Sequence, residues 1–150
     1  MTASPLLISR ANLGDLPAVL ALVEQCGLLQ TGIAEAIASF LVARSDYDLV
    51  GCAGLEKYGE VGLLRSVAVA PSARGTGIGS RLLQGMSAAA RADGLRELFL
   101  LTTTAASYFE KHGFIITPRS SAPVQVAESW EFRVGCPQSA VVMRLGLQEA

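Results

Sequence analysis

Three closely spaced glycines, Gly75, Gly77 and Gly79, stand in the middle of the chain between an apolar run and a helical pattern. Because glycine has no Cβ, its backbone can turn tightly and bring N–H groups close to an anion. The helix that follows adds N–H groups without an intrahelical acceptor and the positive end of its dipole. Arg74, at the start of the loop, is a cation for the same anion. The pattern predicts a phosphate or pyrophosphate site, and an ordinary flexible turn is the alternative.

Two common phosphate-binding motifs do not fit this loop. A P-loop ends in Gly-Lys-Ser/Thr, whereas the residues here are Gly79, Ser80 and Arg81. A dinucleotide-binding motif reads Gly-x-Gly-x-x-Gly, whereas the spacing here is Gly-x-Gly-x-Gly, with about half of the chain before it. The loop is therefore predicted to be neither a P-loop nor a dinucleotide-binding motif.

The elements that must position the loop follow from hydrophobic periodicity. Apolar residues at helical spacing predict helices over residues 12–27, 31–40, 80–94 and 105–113. Aliphatic and β-branched runs predict strands over residues 6–10, 40–45, 47–59, 62–71, 97–103, 114–119 and 139–147. The order β-α-α-β-β-β-α-β-α-β-β predicts an α/β fold, with a mixed sheet that carries helices on both faces.

Composition narrows the class of protein further. A chain of 150 residues is predicted to form one domain over residues 1–150. The net charge of −1 gives no electrostatic basis for a nucleic acid or an anionic membrane as partner. Three widely spaced cysteines predict neither a disulfide framework nor a metal site, and they favour the cytoplasm. No apolar run reaches the length of a membrane span, and the first residues do not resemble a signal peptide.

The loop resembles motif A of the GCN5-related N-acetyltransferase (GNAT) superfamily, which reads Arg/Gln-x-x-Gly-x-Gly/Ala. Arg74, Gly77 and Gly79 fit that pattern. The preceding "SVAVAP" resembles the family's fourth strand, and "ASYFEKHGF" resembles its "LYEKLGF" segment. The resemblance runs from Leu6 to Leu147 in the family's element order. It implies a GNAT fold whose fourth and fifth strands splay apart, with acetyl-CoA as cosubstrate in the gap and no metal.

The same resemblance implies where acetyl-CoA binds and which group stabilises the oxyanion of the reaction. The N–H of Val67 is expected to be the oxyanion donor. The cofactor-binding residues are expected along the fourth strand and the glycine loop: Val67, Ala68, Val69, Arg74, Gly75, Thr76, Gly77, Ile78, Gly79 and Ser80.

The chain departs from the family at the usual catalytic acid. Where the family commonly has Tyr, the aligned residue is Phe109, which has no proton to give, and Thr102 stands where the family usually has Asn. Tyr108 is one residue away, about 100° around a helix, so it cannot simply take over the role. Tyr108 is instead predicted to line the substrate. A thiol has a pKa near 8.5, so the thiolate of CoA can leave without a protein acid.

Charged residues near the expected reaction centre are candidates for the base and for acceptor binding. Glu56 is a candidate base, and Glu60 lies near the same hairpin; both are solvated charges in the alternative interpretation. Arg65 interrupts an apolar strand two residues before Val67, so strand alternation predicts that both lie on one face. Arg65, and after it Arg133, are predicted to bind an acidic group of the substrate. The alternative for Arg65 is an ion pair with Glu56 or Glu131.

Three stretches look like the arsenic-resistance N-acetyltransferase branch of the superfamily: "GCAGLEKYGEVGLLRSVAVAP", "LFLLTTTAASYFEKHGF" and "CPQSAVVMRL". This resemblance implies a small amino-acid-like amine as acceptor, with arsinothricin or phosphinothricin as leading candidates. The long segment over residues 120–140 favours a small substrate because it can cover the acceptor side. A homodimer is compatible with this assignment. The alternatives are a protein N-terminal or lysine acetyltransferase and a non-catalytic CoA-binding regulatory module.

Overall fold

The computed structural model describes residues 6–130, 132–133 and 139–147. The strands are β1 (Leu6–Arg10), β2 (Leu41–Ser45), β3 (Asp48–Tyr58), β4 (Val61–Val69), β5 (Glu97–Thr102), β6 (Ile115–Ile116) and β7 (Val141–Gly146). The helices are α1 (Leu16–Gln25), α2 (Ile33–Ala36), α3 (Ile78–Ala92), α4 (Ala106–Glu110) and α5 (Val124–Ala127). All predicted strands and helices are present. The single turn α5 was not predicted, because it is too short to show a helical period.

The strands are hydrogen-bonded in the order β1-β2-β3-β4-β5-β7-β6. β4 and β5 are parallel, whereas β1–β2, β2–β3, β5–β7 and β6–β7 are antiparallel. The mixed α/β fold predicted from the sequence is therefore confirmed. The parallel ladder joins Val61–Leu63 to Glu97–Phe99, so it covers only the first part of β4 and of β5.

The chain folds as two compact units, of which the first holds the described residues up to 55 together with 66–86. Its core contains the apolar stripe of α1, with Val19 and Val23 fully buried. Phe40 and Val42 pack in the same cluster. Gly54 on β3 leaves room for the ring of Phe40, because a Cβ at this position would lie 2.3 Å from that ring.

The second unit holds residues 56–65 and the described residues from 87 onward. Its core joins Leu63 of β4, Phe99 of β5 and Val142 of β7. Val126 of α5 and Phe132 complete the cluster. The segment predicted as a covering loop therefore contributes two buried side chains to a core.

Ser66 has an unusual backbone conformation within β4. Its φ of 55° is left-handed, a conformation that non-glycine residues adopt rarely. Such a residue interrupts the regular alternation of side chains along a strand. The prediction that Arg65 and Val67 share a face used that alternation, and its basis is lost at Ser66.

Candidate functional site

The glycine loop has the backbone that an anion site requires. Gly75 and Gly77 have φ values of 81° and 85°, which L side chains rarely adopt, and a Cβ on either would meet nothing within 4 Å. These positions therefore need glycine for backbone conformation and not for space. The loop leads directly into the 15-residue helix α3, which begins at Ile78, two residues earlier than predicted. The first turn of a helix carries N–H groups that have no intrahelical acceptor.

Arg74 is docked against the end of β4. Its Nε donates to the carbonyl oxygen of Val69 at 3.1 Å, and its Nη2 lies 3.5 Å from Sγ of Cys26. Within the loop, the hydroxyl of Thr76 donates to the carbonyl of Ala73 at 2.6 Å. These bonds place the predicted cation at the junction of β4 and the loop.

The carboxyl-terminal part of β4 carries the strand residues expected to bind acetyl-CoA. Ala68 is buried, whereas Val67 and Val69 are half-buried. Sγ of Cys52 donates to the carbonyl of Ser66 at 3.2 Å. The left-handed Ser66 directly precedes Val67, so the strand is irregular at the point where the resemblance places the oxyanion donor. Non-glycine residues in such rarely populated backbone conformations cluster at active sites and ligand-binding sites.

Glu56, Tyr58 and Arg65 form a polar cluster in the second unit. Nη1 of Arg65 donates to Oε2 of Glu56 at 2.7 Å, and the hydroxyl of Tyr58 donates to Oε1 of Glu56 at 2.5 Å. The side chain of Arg65 is 2% exposed and that of Glu56 is 21% exposed. The ion pair that the sequence left open as an alternative is therefore present. Tyr58 was missed, although its spacing of two residues from Glu56 on a strand was a usable signal.

Glu60 is separate from this cluster. It pairs with Arg96 at 3.7 Å, and both side chains are more than two-thirds exposed, at 70% and 76%. An exposed pair at this distance contributes little to stability. The solvated alternative for Glu60 therefore fits its environment.

In helix α4, Phe109 stands where the family commonly has the tyrosine that acts as the acid. Phe109 is buried, and its ring centroid lies 5.7 Å from that of Phe114. Tyr108 is partly exposed, and desolvation by burial raises the pKa of its hydroxyl. Oγ1 of Thr102 accepts from the N–H of Ala105 just before the helix, at 3.0 Å. Thr102 thus has a local structural role.

The remaining candidates lie around the end of the chain. Arg133 is exposed, and its backbone N–H donates to the carbonyl of Ser129 at 3.0 Å. Glu131 and Cys136 lie outside the described residues. Across the described part of the chain, no group of three or more His, Cys, Asp or Glu residues could hold a metal ion. No helix within those ranges is both long and apolar enough to cross a membrane.

Comparison with known proteins identifies relatives both in sequence and in structure. The curated "Amino-acid acetyltransferase" of Ralstonia nicotianae is 46% identical over 81 residues, which are 53% of this chain and 18% of that protein. N-acetylglutamate synthase from Neisseria gonorrhoeae, solved with coenzyme A and N-acetyl-glutamate, superposes with a TM-score of 0.84 at 25% identity. That match covers 99% of this chain and 36% of the synthase. The chain thus spans well under half the length of these two relatives.

A third relative has about the size of this chain. A Mycobacterium tuberculosis protein in complex with CoA and NLQ superposes with a TM-score of 0.78 at 27% identity, covering 95% of this chain and 99% of that one. The family model described as "Acetyltransferase (GNAT) domain" matches residues 36–116, which is more than half of the sequence. The chain therefore belongs to the GNAT acetyltransferase family, as its glycine loop predicted.

Proposed function

We propose that the chain transfers the acetyl group of acetyl-CoA to the primary amine of a small amino acid. The observation that carries the proposal is the left-handed glycine loop that leads into α3 in a chain of the GNAT family. The relatives support both substrates, because one is named an amino-acid acetyltransferase and two were solved with CoA. Acetyl-CoA would lie with its pyrophosphate on the loop from Arg74 to Ser80.

The chemistry requires one bond to form and one to break. The unprotonated amine attacks the thioester carbonyl, the N–C bond forms, and the C–S bond breaks as the thiolate of CoA leaves. We assign the oxyanion to the N–H of Val67 and the amine proton to Glu56. Phe109 donates no proton, so the thiolate leaves without a protein acid from α4 in this proposal.

The charge of the acceptor and the names of the relatives both narrow the class of acceptor. Arsinothricin and phosphinothricin are amino acids with a second acidic group, and so is the glutamate unit named in the solved synthase. We therefore propose this substrate class, with arsenical or phosphinic amino acids as the narrower candidates. Arg133 is exposed, so it is better placed to meet an acidic group than Arg65, which is buried against Glu56. A cytoplasmic location and a homodimer remain part of the proposal.

An acceptor screen tests this function. The protein is incubated with acetyl-CoA and single amines, and release of the CoA thiol is followed with a thiol-reactive dye. The panel contains L-glutamate, L-glutamine, phosphinothricin, arsinothricin, simple alkylamines and a peptide with a free amino terminus. We expect turnover with amino acids that carry an acidic group and little with alkylamines.

Each of the other outcomes of the screen would indicate a different function. Preference for the peptide would indicate a protein acetyltransferase and would overturn the proposed acceptor. Tight binding of acetyl-CoA in calorimetry with no acceptor-dependent release of thiol would indicate a CoA-binding regulatory module. Equal rates with alkylamines would show that no acidic group is recognised.

A further inference from the structure

Of the two charged members of the polar cluster formed by Glu56, Tyr58 and Arg65, the acid is the more accessible. Glu56 has 21% of its side chain exposed and Arg65 has 2%. A ligand that reaches the cluster from solvent therefore meets the carboxylate of Glu56 before the guanidinium of Arg65. This order is the opposite of what the capture of an anion by Arg65 requires.

The carboxylate of Glu56 can accept further hydrogen bonds. An ionised carboxylate has about four acceptor sites on its two oxygens and no donor. Arg65 occupies one site on Oε2 at 2.7 Å, and Tyr58 occupies one on Oε1 at 2.5 Å. A carboxylate bound in this way takes an additional N–H donor without losing either bond.

The charges of the pair favour an amine over an anion. The ion pair of Glu56 with Arg65 has no net charge, so it offers a second anion no net attraction. An ammonium group placed at the exposed side lies closer to the carboxylate than to the guanidinium, and the nearer charge decides the sign of the interaction.

Two strands hold the carboxylate in place. Tyr58 follows Glu56 by two residues on β3, so both side chains lie on one face of the strand. The ring of Tyr58 packs against the core that contains Leu63 and Phe99. Arg65 reaches Glu56 from β4. A side chain restrained in this way loses little freedom when a ligand binds.

We propose that Glu56 binds the amino group of the acceptor, and that Tyr58 and Arg65 are positioning residues that hold its carboxylate. The inference rests on the proposed function, because it assigns the amine of the same acceptor. It replaces the expectation that Arg65 binds the acidic group of the acceptor.

The test separates the amino group of the acceptor from its acidic groups. The amino acid that is acetylated fastest in the screen is the substrate, and its deaminated analogue is the competitive inhibitor; for L-glutamate the analogue is glutarate. Glu56→Gln should raise the KM of the amino acid at least about 10-fold, since a hydrogen bond to a charged group is lost. The inhibition constant of the deaminated analogue and the KM of acetyl-CoA should stay within about twofold.

Tyr58→Phe tests the positioning role and leaves the ion pair intact. It should raise the KM of the amino acid about 2- to 10-fold and leave kcat within about twofold, because one hydrogen bond to Glu56 is lost. Glu60→Gln and Tyr47→Phe are the matched controls, since Glu60 is 70% exposed and Tyr47 is 99% exposed. Both controls should leave every constant within about twofold.

The results distinguish this inference from the proposed function. If the wild type acetylates an amino acid and Glu56→Gln behaves like Glu60→Gln, the inference alone is overturned. It is also overturned if Glu56→Gln weakens the deaminated analogue as much as the amino acid. If the wild type acetylates no amino acid, the inference and the proposed function are both overturned. If Glu56→Gln unfolds because Arg65 loses its ion pair with Glu56, Tyr58→Phe decides: an unchanged KM overturns the inference.

Discussion

Cys52 shows how its surroundings set the chemistry of a single side chain. Burial raises the pKa of its thiol to about 12, with a smaller contribution in the same direction from Cys26. A hydrogen bond with the backbone of Ala68 lowers the pKa and only partly offsets these effects. Because the folded pKa lies above the ordinary 9.0, the stability contributed by the neutral thiol is present below pH 9 and lost as the pH rises towards 12.

We expect Cys52 to resist alkylation in the folded protein. At pH 8, a pKa of about 12 leaves roughly one thiol in ten thousand ionised, and the thiolate is the reactive form. Cys26 is half-buried and should react with iodoacetamide first. Peptide mapping by mass spectrometry measures both sites, and labelling in guanidinium chloride is the control in which both react. Equal labelling of the two sites in the folded protein would contradict the prediction.

Phe109 is the second residue whose environment decides its role. We expect Phe109→Tyr to change kcat by less than tenfold, because the proposed reaction needs no acid at this position. The added hydroxyl would enter a site that is 8% exposed and packed against Phe114, so the Tm should fall. Steady-state kinetics and thermal melts measure the two effects. A hundredfold gain in kcat would show that an acid was missing.

At the scale of elements, close packing leaves no room for a Cβ atom at Gly54 of β3. The ideal Cβ at this position lies 2.3 Å from Cζ of Phe40, whose side chain is fully buried. Phe40 cannot move aside without disturbing the core of the first unit, which also contains Val19 and Val23 of α1. One glycine in a strand thus determines how the residue before β2 fits into that core.

Gly54→Ala should destabilise the fold by about 1–3 kcal/mol, the usual range for an overpacked core. For a chain of 150 residues this corresponds to a Tm lower by roughly 2–12 °C. Gly146→Ala on β7 is the matched control, because a Cβ there meets nothing within 4 Å. Differential scanning calorimetry compares the two variants. Equal melting temperatures would mean that Phe40 moves aside at little cost.

At the scale of the whole molecule, acetyl-CoA bound as proposed would link the glycine loop to the stability of the fold. A ligand that binds only the folded state raises the free energy of unfolding, by about 2.7 kcal/mol at 100 times its Kd. The loop joins β4 to α3, and Arg74 ties it to the carbonyl of Val69. Binding at this junction, as proposed, would therefore stabilise β4 and α3 as well as the loop.

We expect acetyl-CoA to raise the Tm of the wild type and to leave that of Gly77→Asp unchanged. The variant places a Cβ and a negative charge in the loop where the pyrophosphate should lie. Gly94→Asp is the control, because Gly94 has nearly the same φ, 84° against 85°, and equally open space at the other end of α3. Calorimetric affinity should be lost in the first variant only. Retained affinity in a folded Gly77→Asp protein would exclude the loop as the binding site.

Local patterns were sufficient to predict the seven strands, the helices α1 to α4 and the family. The stripe Leu82, Leu83, Met86 and Ala90 predicted the buried face of α3, and all four residues are buried. The run from Leu98 to Leu100 predicted a central strand, and β5 lies between β4 and β7. These predictions succeed because periodicity and glycine placement act over a few residues. The roles of Val67, Arg133 and the residues of the loop remain predictions.

The sequence by itself determined the order of the elements, the glycine loop and the absence of a tyrosine at Phe109. Only the tertiary structure decided that Arg65 pairs with Glu56, that Tyr58 joins them, and that Ser66 takes a left-handed conformation within β4. The physical reason is that an ion pair depends on which side chains meet in space, nine residues apart in this case. A left-handed serine likewise depends on the surrounding structure, because its own side chain does not favour that conformation.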